Sequence, residues 1–516
     1  MHLNISSVSF WFMVLCAGVA GVSGLMFGYD SGIITDTIAQ TLFLDYFHDP
    51  SASLIGCVVA MLQAGAAVGA GIAAPMNDAW GRKKAMMVGS ACGVVGAALQ
   101  AGAVNVAMLI VGRLIIGLGI GILTMVVPIY QAEIAPPNAR AFIMSIESIM
   151  TAFGYVIANW VGYGSSFSDT SFQWRFPLSI QVVFALIVLL AAPFLPESPR
   201  WLIERGDYEH AYKLVRKLHF TGQNEEFVRA EFHEMRDQIL VEKEKTVRSY
   251  KEAFAKPSWR KRIFLACGVW VGVSLTGITS VNFYLNTFIK NLGFSTGQSL
   301  LLTGIYGFAG PISCFFAMIV LDRLPRTKML WGGNVGLAVV LACLTGLTGG
   351  FPMSGDNANA NAQRGGIAML FIYSIVYSAT YGPISWIYPV EIFPMQIRSI
   401  GFSISSVVNY ATMVLFSQVS PIGLANIGWK YYIFFICSNL ACAAVVLLFY
   451  PETQGKSLEQ MDELFGDQMV PHALDDPVAA EKMRGNASLH EIEGTVLSSA
   501  LAVAAEEFEL RAGVER

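Results

Sequence analysis

Residues Glu133 to Arg140 read Glu-Ile-Ala-Pro-Pro-Asn-Ala-Arg, and 258 residues later Glu391 to Arg398 read Glu-Ile-Phe-Pro-Met-Gln-Ile-Arg. The Glu-to-Pro and Glu-to-Arg spacings are identical in the two copies. Asp78-Ala-Trp-Gly-Arg82-Lys83-Lys84 precedes the first copy, and Asp322-Arg-Leu-Pro-Arg326-Thr-Lys328 precedes the second. Pro196-Glu197-Ser follows the first, and Pro451-Glu452-Thr the second. Three motif pairs in the same order, at offsets of 244, 258 and 255 residues, mean a duplicated chain. Each motif closes an apolar run. The runs lie at roughly 10–34, 53–75, 85–104, 107–132, 141–162, 175–195, 263–289, 298–320, 328–350, 366–388, 400–420 and 429–450. About 20 apolar residues span a bilayer as a helix, so the pattern predicts an all-α membrane protein of twelve transmembrane helices in two pseudo-symmetric six-helix bundles. Two parallel halves around a central cavity form an alternating-access architecture. The expected divisions are an N-terminal bundle over 1–195, a cytoplasmic linker with amphipathic helices over 196–261, a C-terminal bundle over 262–456 and a cytoplasmic tail over 457–516.

Composition agrees with that reading. Of 516 residues, 54% are hydrophobic and only 14% charged, against roughly 25% charged in ordinary globular chains, and the mean hydropathy is +0.54. A soluble enzyme, a coiled coil and a disordered chain fit poorly. Net charge is -4 without a basic stripe, so no nucleic-acid partner is expected. The long polar segment at about 196–262 carries 15 Lys/Arg, whereas the short loops on the opposite side carry only Arg175, Lys290, Arg364 and Lys430. By the positive-inside bias, supported independently by Arg82-Lys83-Lys84, that segment and both termini are cytoplasmic. Within it, Tyr208–Phe220 and Asn224–Lys245 have apolar residues at helical spacing, and a helix is also expected at Thr495–Leu510 in the acidic tail. The sequons at Asn4 and Asn486 fall on the cytoplasmic side and are not expected to be glycosylated.

The eight cysteines lie inside apolar runs with no C-x-x-C spacing and read as small buried hydrophobes. His48, His210, His219 and His233 read as loop residues without metal-ligand spacing, and Gly112–Gly121 lacks a Walker lysine. No enzymatic chemistry, metal or cofactor is expected.

Several stretches carry a family resemblance: Phe27-Gly-Tyr-Asp30-Ser-Gly, Gly81-Arg82-Lys83, Gly112-Arg113-Leu-Ile-Ile-Gly-Leu-Gly, Val127-Pro128-Ile-Tyr130-Gln-Ala-Glu133, Pro196-Glu-Ser-Pro-Arg200, Trp386-Ile-Tyr-Pro-Val-Glu391-Ile-Phe-Pro394 and Pro451-Glu-Thr-Gln-Gly455. Over about 27–455 the chain resembles the sugar porter family of the major facilitator superfamily, and its fungal branch most of all. The resemblance implies that Arg82, Lys83, Glu133, Arg140 and Glu197, with Arg326, Glu391, Arg398 and Glu452, form a cytoplasmic gate. Ion pairs on the wet rim can supply contacts that one conformation has and another lacks. The second copy departs from the pattern, with Pro325 for a glycine and Thr327 for a basic residue, which predicts a weaker half-gate.

Asp30 stands inside an apolar run, where an unpaired ionisable side chain costs roughly 2.5–3.5 kcal/mol near the helix centre. It needs a partner or a proton. Arg113 in the fourth run is the partner that the resemblance implies, and alternating that pairing with protonation couples a proton to transport. Glu147 is a further carboxylate in the fifth run; a second proton site, a substrate ligand and a group reaching the cytoplasmic helix end are all open to it.

A sugar site needs hydrogen-bonding groups at the bilayer midplane and an aromatic face for the ring. The resemblance places it at Phe27, Ser148, Thr151, Tyr155, Ser274, Thr279, Asn282, Tyr284, Trp386 and Asn409. Long amides are missing where sugar porters carry them: Ser148 replaces one glutamine, Val273-Ser274 a glutamine pair, Thr279 and Met413 asparagines, and Tyr410 a tryptophan. The expected function is proton-coupled import of a monosaccharide or related small polyhydroxy compound across the plasma membrane, by a chain functional as a monomer. The alternatives are a facilitator or exporter of a polyol, sugar acid, disaccharide or metabolite, and a non-transporting nutrient sensor.

Overall fold

The computed structural model describes residues 8–135, 140–219, 250–313, 324–353 and 358–454, with isolated positions at 228–229, 232–233, 235–236, 239, 355, 461 and 464–466. Met1–Lys456 form one compact unit and Ser457–Arg516 a second. The described residues contain helices and no strand.

The first six long helices are α1 (Val8–Thr37), α2 (Ala52–Trp80), α3 (Arg82–Ala101), α4 (Val106–Ile134), α5 (Arg140–Ser165) and α6 (Phe172–Ala191). After the short helices Pro199–Glu204 and Tyr208–His219 come α7 (Pro257–Leu275), α8 (Ile278–Asn291), α9 (Thr296–Gly307), α10 (Arg326–Gly350), α11 (Ala360–Ala379), α12 (Tyr381–Ile392), α13 (Arg398–Ile427) and α14 (Tyr431–Phe449). Ten stretches of the described residues are long and apolar enough to cross a membrane. One of them, Ile400–Phe449, contains two helices, α13 and α14. The eighth apolar run of the sequence is described only as far as residue 313.

Polar side chains start the helices where the sequence turns. Ser51 accepts from the Leu54 amide before α2, Asn105 from Met108 at α4, and Asn359 from Asn361 and Ala362 at α11. Ser295 and Gln298 form a reciprocal capping box at α9. Between α2 and α3 a single residue reverses the chain, and Gly81 at φ +86° occupies a region closed to most side chains.

Small residues let the helices of the first half touch backbone to backbone, as membrane packing favours. A Cβ at Gly117 of α4 would lie 2.1 Å from the Leu62 carbonyl oxygen of α2, and one at Gly28 of α1 would lie 2.0 Å from that of Thr151 in α5. These contacts lock α4, which carries Arg113, against α2, and α1, which carries Asp30, against α5.

Two crossings of the second half are broken in mid-course. Gly277, at φ +94°, separates α7 from α8, and Thr380 separates α11 from α12. The Thr276 carbonyl freed by the first break accepts from Tyr373 Oη at 2.8 Å and Asn439 Nδ2 at 3.1 Å. Non-helical backbone at membrane depth needs such internal partners, and discontinuous helices are where transporter sites are built.

In the linker, Tyr208–His219 is helical, and its Ala211 and Val215 are buried with Ile203, Val228 and Phe232. The second linker helix expected at Asn224–Lys245 falls largely outside the described residues, and the tail helix at Thr495–Leu510 entirely so. Three histidines expected in loops are helical instead. His210 and His219 lie on Tyr208–His219, where the His219 ring shares a hydrogen bond with the Ile134 carbonyl at 3.0 Å, and His233 is helical too. Cys343 and Cys437 are exposed on α10 and α14, not buried as their apolar context suggested.

Candidate functional site

Asp30 and Arg113 meet in the interior of the first half. Arg113 Nη1 donates to Asp30 Oδ1 at 2.9 Å, and both side chains have no exposed surface. Arg113 Nε also reaches the Val58 carbonyl at 3.3 Å. Asp30 Oδ2 and Arg113 Nη2 are buried without a hydrogen-bond partner. The pair is therefore a single-point contact. Desolvation weighs against both charges, and removing either one strands the other.

The other expected site residues divide into two groups. Ser148 is exposed, Trp386 is 44% exposed, and Phe27, Thr151, Tyr155 and Asn282 are half-buried. Trp386 stands edge-on to Trp270 with ring centroids 4.7 Å apart. Tyr155 packs where a Cβ on Gly32 of α1 would sit, and Thr151 Oγ1 donates to the Glu147 carbonyl at 3.0 Å. Thr279 Oγ1 and Asn409 Oδ1 are buried polar atoms without a partner. In the second group, Ser274 is fully buried and donates to Thr412 Oγ1 at 3.0 Å, while Tyr284 donates to the Ser417 carbonyl at 2.6 Å. Both hydroxyls tie helices of the second half together, so packing accounts for them. Glu147 is half-buried against α1, its Cγ 2.9 Å from where a Cβ on Gly24 would stand.

At one end of the bundle the repeated motifs build two related ion clusters. Arg82 grips Glu133 with two bonds, Nη2 to Oε1 at 2.7 Å and Nε to Oε2 at 2.9 Å. Glu197 Oε1 accepts the backbone amides of Arg82 at 3.0 Å and Lys83 at 3.3 Å, so it caps the start of α3. In the second copy Arg326 Nη2 approaches Glu391 Oε1 at 3.5 Å, and Glu452 accepts the Arg326 amide at 2.8 Å and the Thr327 amide at 3.1 Å. The Tyr130 hydroxyl donates to the Pro196 carbonyl as the Tyr388 hydroxyl does to that of Pro451. The duplication is thus visible in corresponding partners, with a looser Arg–Glu contact in the second copy. Thr327, in place of a base, donates its hydroxyl to Glu452. Arg398 bonds the Phe393 carbonyl at 3.2 Å, and the Arg140 side chain lies outside the described residues.

Burial would raise the Glu452 carboxyl, but the Thr327 hydroxyl and the Gln454, Thr327 and Arg326 amides outweigh it and hold the group below the usual glutamate range. Its contribution is present above the ordinary value of about 4.3 and is lost only as pH falls through the lower folded value. At neutral pH this cap stays charged.

The opposite end is closed by bonds between the halves. Thr35 Oγ1 donates to the Asn282 carbonyl at 2.9 Å, Asn286 Nδ2 donates to Asp36 Oδ1 at 2.7 Å, and Lys290 Nζ donates to the Ala39 carbonyl at 2.9 Å. Asn159 Nδ2 reaches the Thr303 carbonyl at 3.2 Å. Thr124 Oγ1 and Tyr410 Oη share a hydrogen bond of 3.0 Å across the halves. Of the residues at this closed end only Asn282, as a site residue, and Lys290, as a loop charge, stood out in the sequence. The available signal was Asp36, a second carboxylate two residues past the first apolar run.

Loss of the Thr124–Tyr410 bond in Tyr410→Phe is expected to cost this conformation about 1 kcal/mol, a shift of about fivefold between conformers. Thiol labelling of a cysteine placed at Asn409 measures that shift, and an unchanged rate would show that the bond carries no conformational bias.

A family model described as "Sugar (and other) transporter" matches residues 16–465. The chain belongs to the sugar porter family of the major facilitator superfamily. It is 43% identical to the MFS-type transporter criB of Aspergillus cristatus over 89% of this chain and 94% of that one. To a high-affinity glucose transporter of Kluyveromyces lactis it is 29% identical over 87% and 84%. Its fold is similar to that of the xylose transporter XylE from E. coli in an inward open conformation, with a TM-score of 0.72 and 22% identity over 88% of this chain and 99% of that one. Sugar porters are transporters rather than enzymes, and this one is a multi-pass membrane protein.

Proposed function

We propose that this sugar porter imports a monosaccharide or a related small polyhydroxy compound across the plasma membrane in symport with a proton, with both termini in the cytoplasm. The observation that carries the reading is the fully buried, singly bonded Asp30–Arg113 pair. A proton on Asp30 would release Arg113, and its loss would restore the pair, so protonation and helix position are linked energetically. Thr279 and Asn409 offer the buried unpartnered polar atoms a hydroxylated solute would satisfy. Phe27 and Tyr155 offer aromatic faces for the apolar side of a ring. Arg82, Glu133 and Glu197, with Arg326, Glu391 and Glu452, brace the cytoplasmic ends. Support for a sugar comes from a relative named as a glucose transporter and from a fold neighbour titled a proton:xylose symporter.

A second reading, in which the solute is a polyol, sugar acid, disaccharide or other metabolite, is favoured by the burial of Ser274 at a position where sugar porters carry a glutamine. External alkalinisation on adding glucose, then a panel of sugars, polyols and sugar acids, to hexose-transporter-null cells decides between them. A signal with one class names the solute. Labelled solute entering without alkalinisation would contradict symport.

A further inference from the structure

We propose that Asp36 is a second proton-binding residue of this transporter, and that a proton from the external medium on its carboxyl is what allows the extracellular end to close. The inference rests on the orientation given above, which makes the Thr35–Lys290 end extracellular, and goes beyond the role given to Asp30. Asp36 is fully buried in the closed end. Its Oδ1 accepts from Asn286 Nδ2 of the other half at 2.7 Å, and its Oδ2 has no hydrogen-bond partner. Asn286 is held in place because Nδ2 also donates to the Thr35 carbonyl at 3.1 Å and Oδ1 accepts from Thr303 Oγ1 at 3.0 Å. The recognition is built, and it spans both halves. On the far side Gly162 of α5 lies so close that a Cβ there would stand 2.3 Å from Asp36 Oδ2.

No described cation lies within ion-pair distance of Asp36. On α1 itself Tyr29, whose hydroxyl donates to the Pro177 carbonyl at 2.8 Å, and Asp30, engaged by Arg113, are seven and six residues away, about 10 and 9 Å along the axis. On α5, Arg140 and Glu147 lie fifteen or more residues from Gly162, at least about 22 Å along the axis, which leaves Tyr155 and Tyr163 nearer to Asp36, and from α9 Tyr306. From α8 they are Tyr284, bonded to Ser417, and Lys290, whose ammonium is bonded to the Ala39 carbonyl. Arg175 of α6 bonds the carbonyls of Ala101 and Ala103 and the Tyr46 hydroxyl. Asp45 on the short helix Thr41–Tyr46 and His48 and Asp49 in the turn after it are exposed.

An ionised carboxylate dehydrated here with one amide donor would be an uncompensated charge. A neutral carboxylic acid leaves one hydroxyl unsatisfied, a far smaller penalty. Closing therefore takes up a proton on Oδ2, and opening wets the group and releases that proton to external water. The populations of open and closed ends are linked to external pH by one proton, which sets a limit of about tenfold per pH unit.

The test uses the full chain in intact cells, with an Ala39→Cys reporter at the closed interface and an Asp169→Cys control in the exposed loop, read with a membrane-impermeant thiol reagent between pH 5 and 8. The expected result is that reporter labelling, divided by that of the control cysteine at the same pH to remove the thiolate's own rise, increases with pH and approaches tenfold per unit over part of the range, while in Asp36→Asn this ratio stays low and varies less than about twofold. Asn286→Asp, made in parallel in case Asp36→Asn does not reach the surface, sets two carboxyls face to face and is expected to open the end and raise labelling at pH 7 several-fold. A reporter-to-control ratio that is pH-independent in the parent, an undiminished pH response of that ratio in Asp36→Asn, or an unchanged ratio in Asn286→Asp would each overturn the proposal. A control cysteine that never labels would overturn the orientation, and with it the external site, whereas failure of the reporter alone leaves the orientation standing.

Discussion

Asp30→Asn is expected to carry labelled solute only to equilibrium, while exchange across preloaded membranes persists. Asparagine matches the protonated acid in shape and retains an oxygen to accept from Arg113 Nη1, now 2.9 Å from Asp30 Oδ1. What disappears is the charge that a proton removes and restores. One charge crossing 100 mV is worth about 2.3 kcal/mol and one pH unit about 1.4 kcal/mol. Together they support accumulation on the order of several hundredfold at tenfold per 1.4 kcal/mol, and the substitution is expected to reduce that ratio to one. It also leaves Arg113, fully buried and already with one unpartnered nitrogen, without its counter-charge. Stripping one partner from a buried pair costs about 3–5 kcal/mol, so surface abundance is measured beside uptake. Undiminished accumulation at normal abundance would remove Asp30 from the coupling step.

Glu133→Ala and Glu391→Ala, although equivalent in the repeat, are expected to differ sharply. Glu133 holds Arg82 by two bonds of 2.7 and 2.9 Å, and both side chains are nearly buried. Its loss is expected to cost about 3–5 kcal/mol. Glu391 faces Arg326 at 3.5 Å and is more open to water, so its truncation is expected to cost about 1 kcal/mol or less. Thermal unfolding in detergent reads the difference. Function follows the same order. The outward-facing state must press the cytoplasmic ends of the halves together, so loosening the first cluster favours inward-open forms and lowers external thiol labelling of cavity cysteines. Equal destabilisation by the two variants, or external labelling that rises in Glu133→Ala, would contradict the gate account.

The duplication was legible because it rests on motifs at helix ends, where charge and proline must stay in register. The parallel bonds of Tyr130 and Tyr388, and of Glu197 and Glu452, follow from that spacing. Asp30 and Arg113 were legible because a charge in an apolar run demands a partner. Relations set by the packing of distant helices were not. Nothing local in Ser274 or Tyr284 says that their hydroxyls turn to Thr412 and Ser417. Asp36 lies two residues past the first apolar run but still on its helix, and its partner Asn286 is 250 residues away in the chain and neutral, so neither the run nor an opposite charge pointed to it. The weaker second cluster could be foreseen from Thr327; its hydroxyl bond to Glu452 could not.

Symport is tested most directly with the purified chain in liposomes with no pH gradient or voltage, by imposing a solute gradient and following internal pH. The account predicts that solute running down its gradient drags protons with it, acidifying the compartment it enters, and that the proton movement disappears in Asp30→Asn while labelled solute still exchanges. Solute flux of normal rate with no proton movement in the unaltered protein would contradict it.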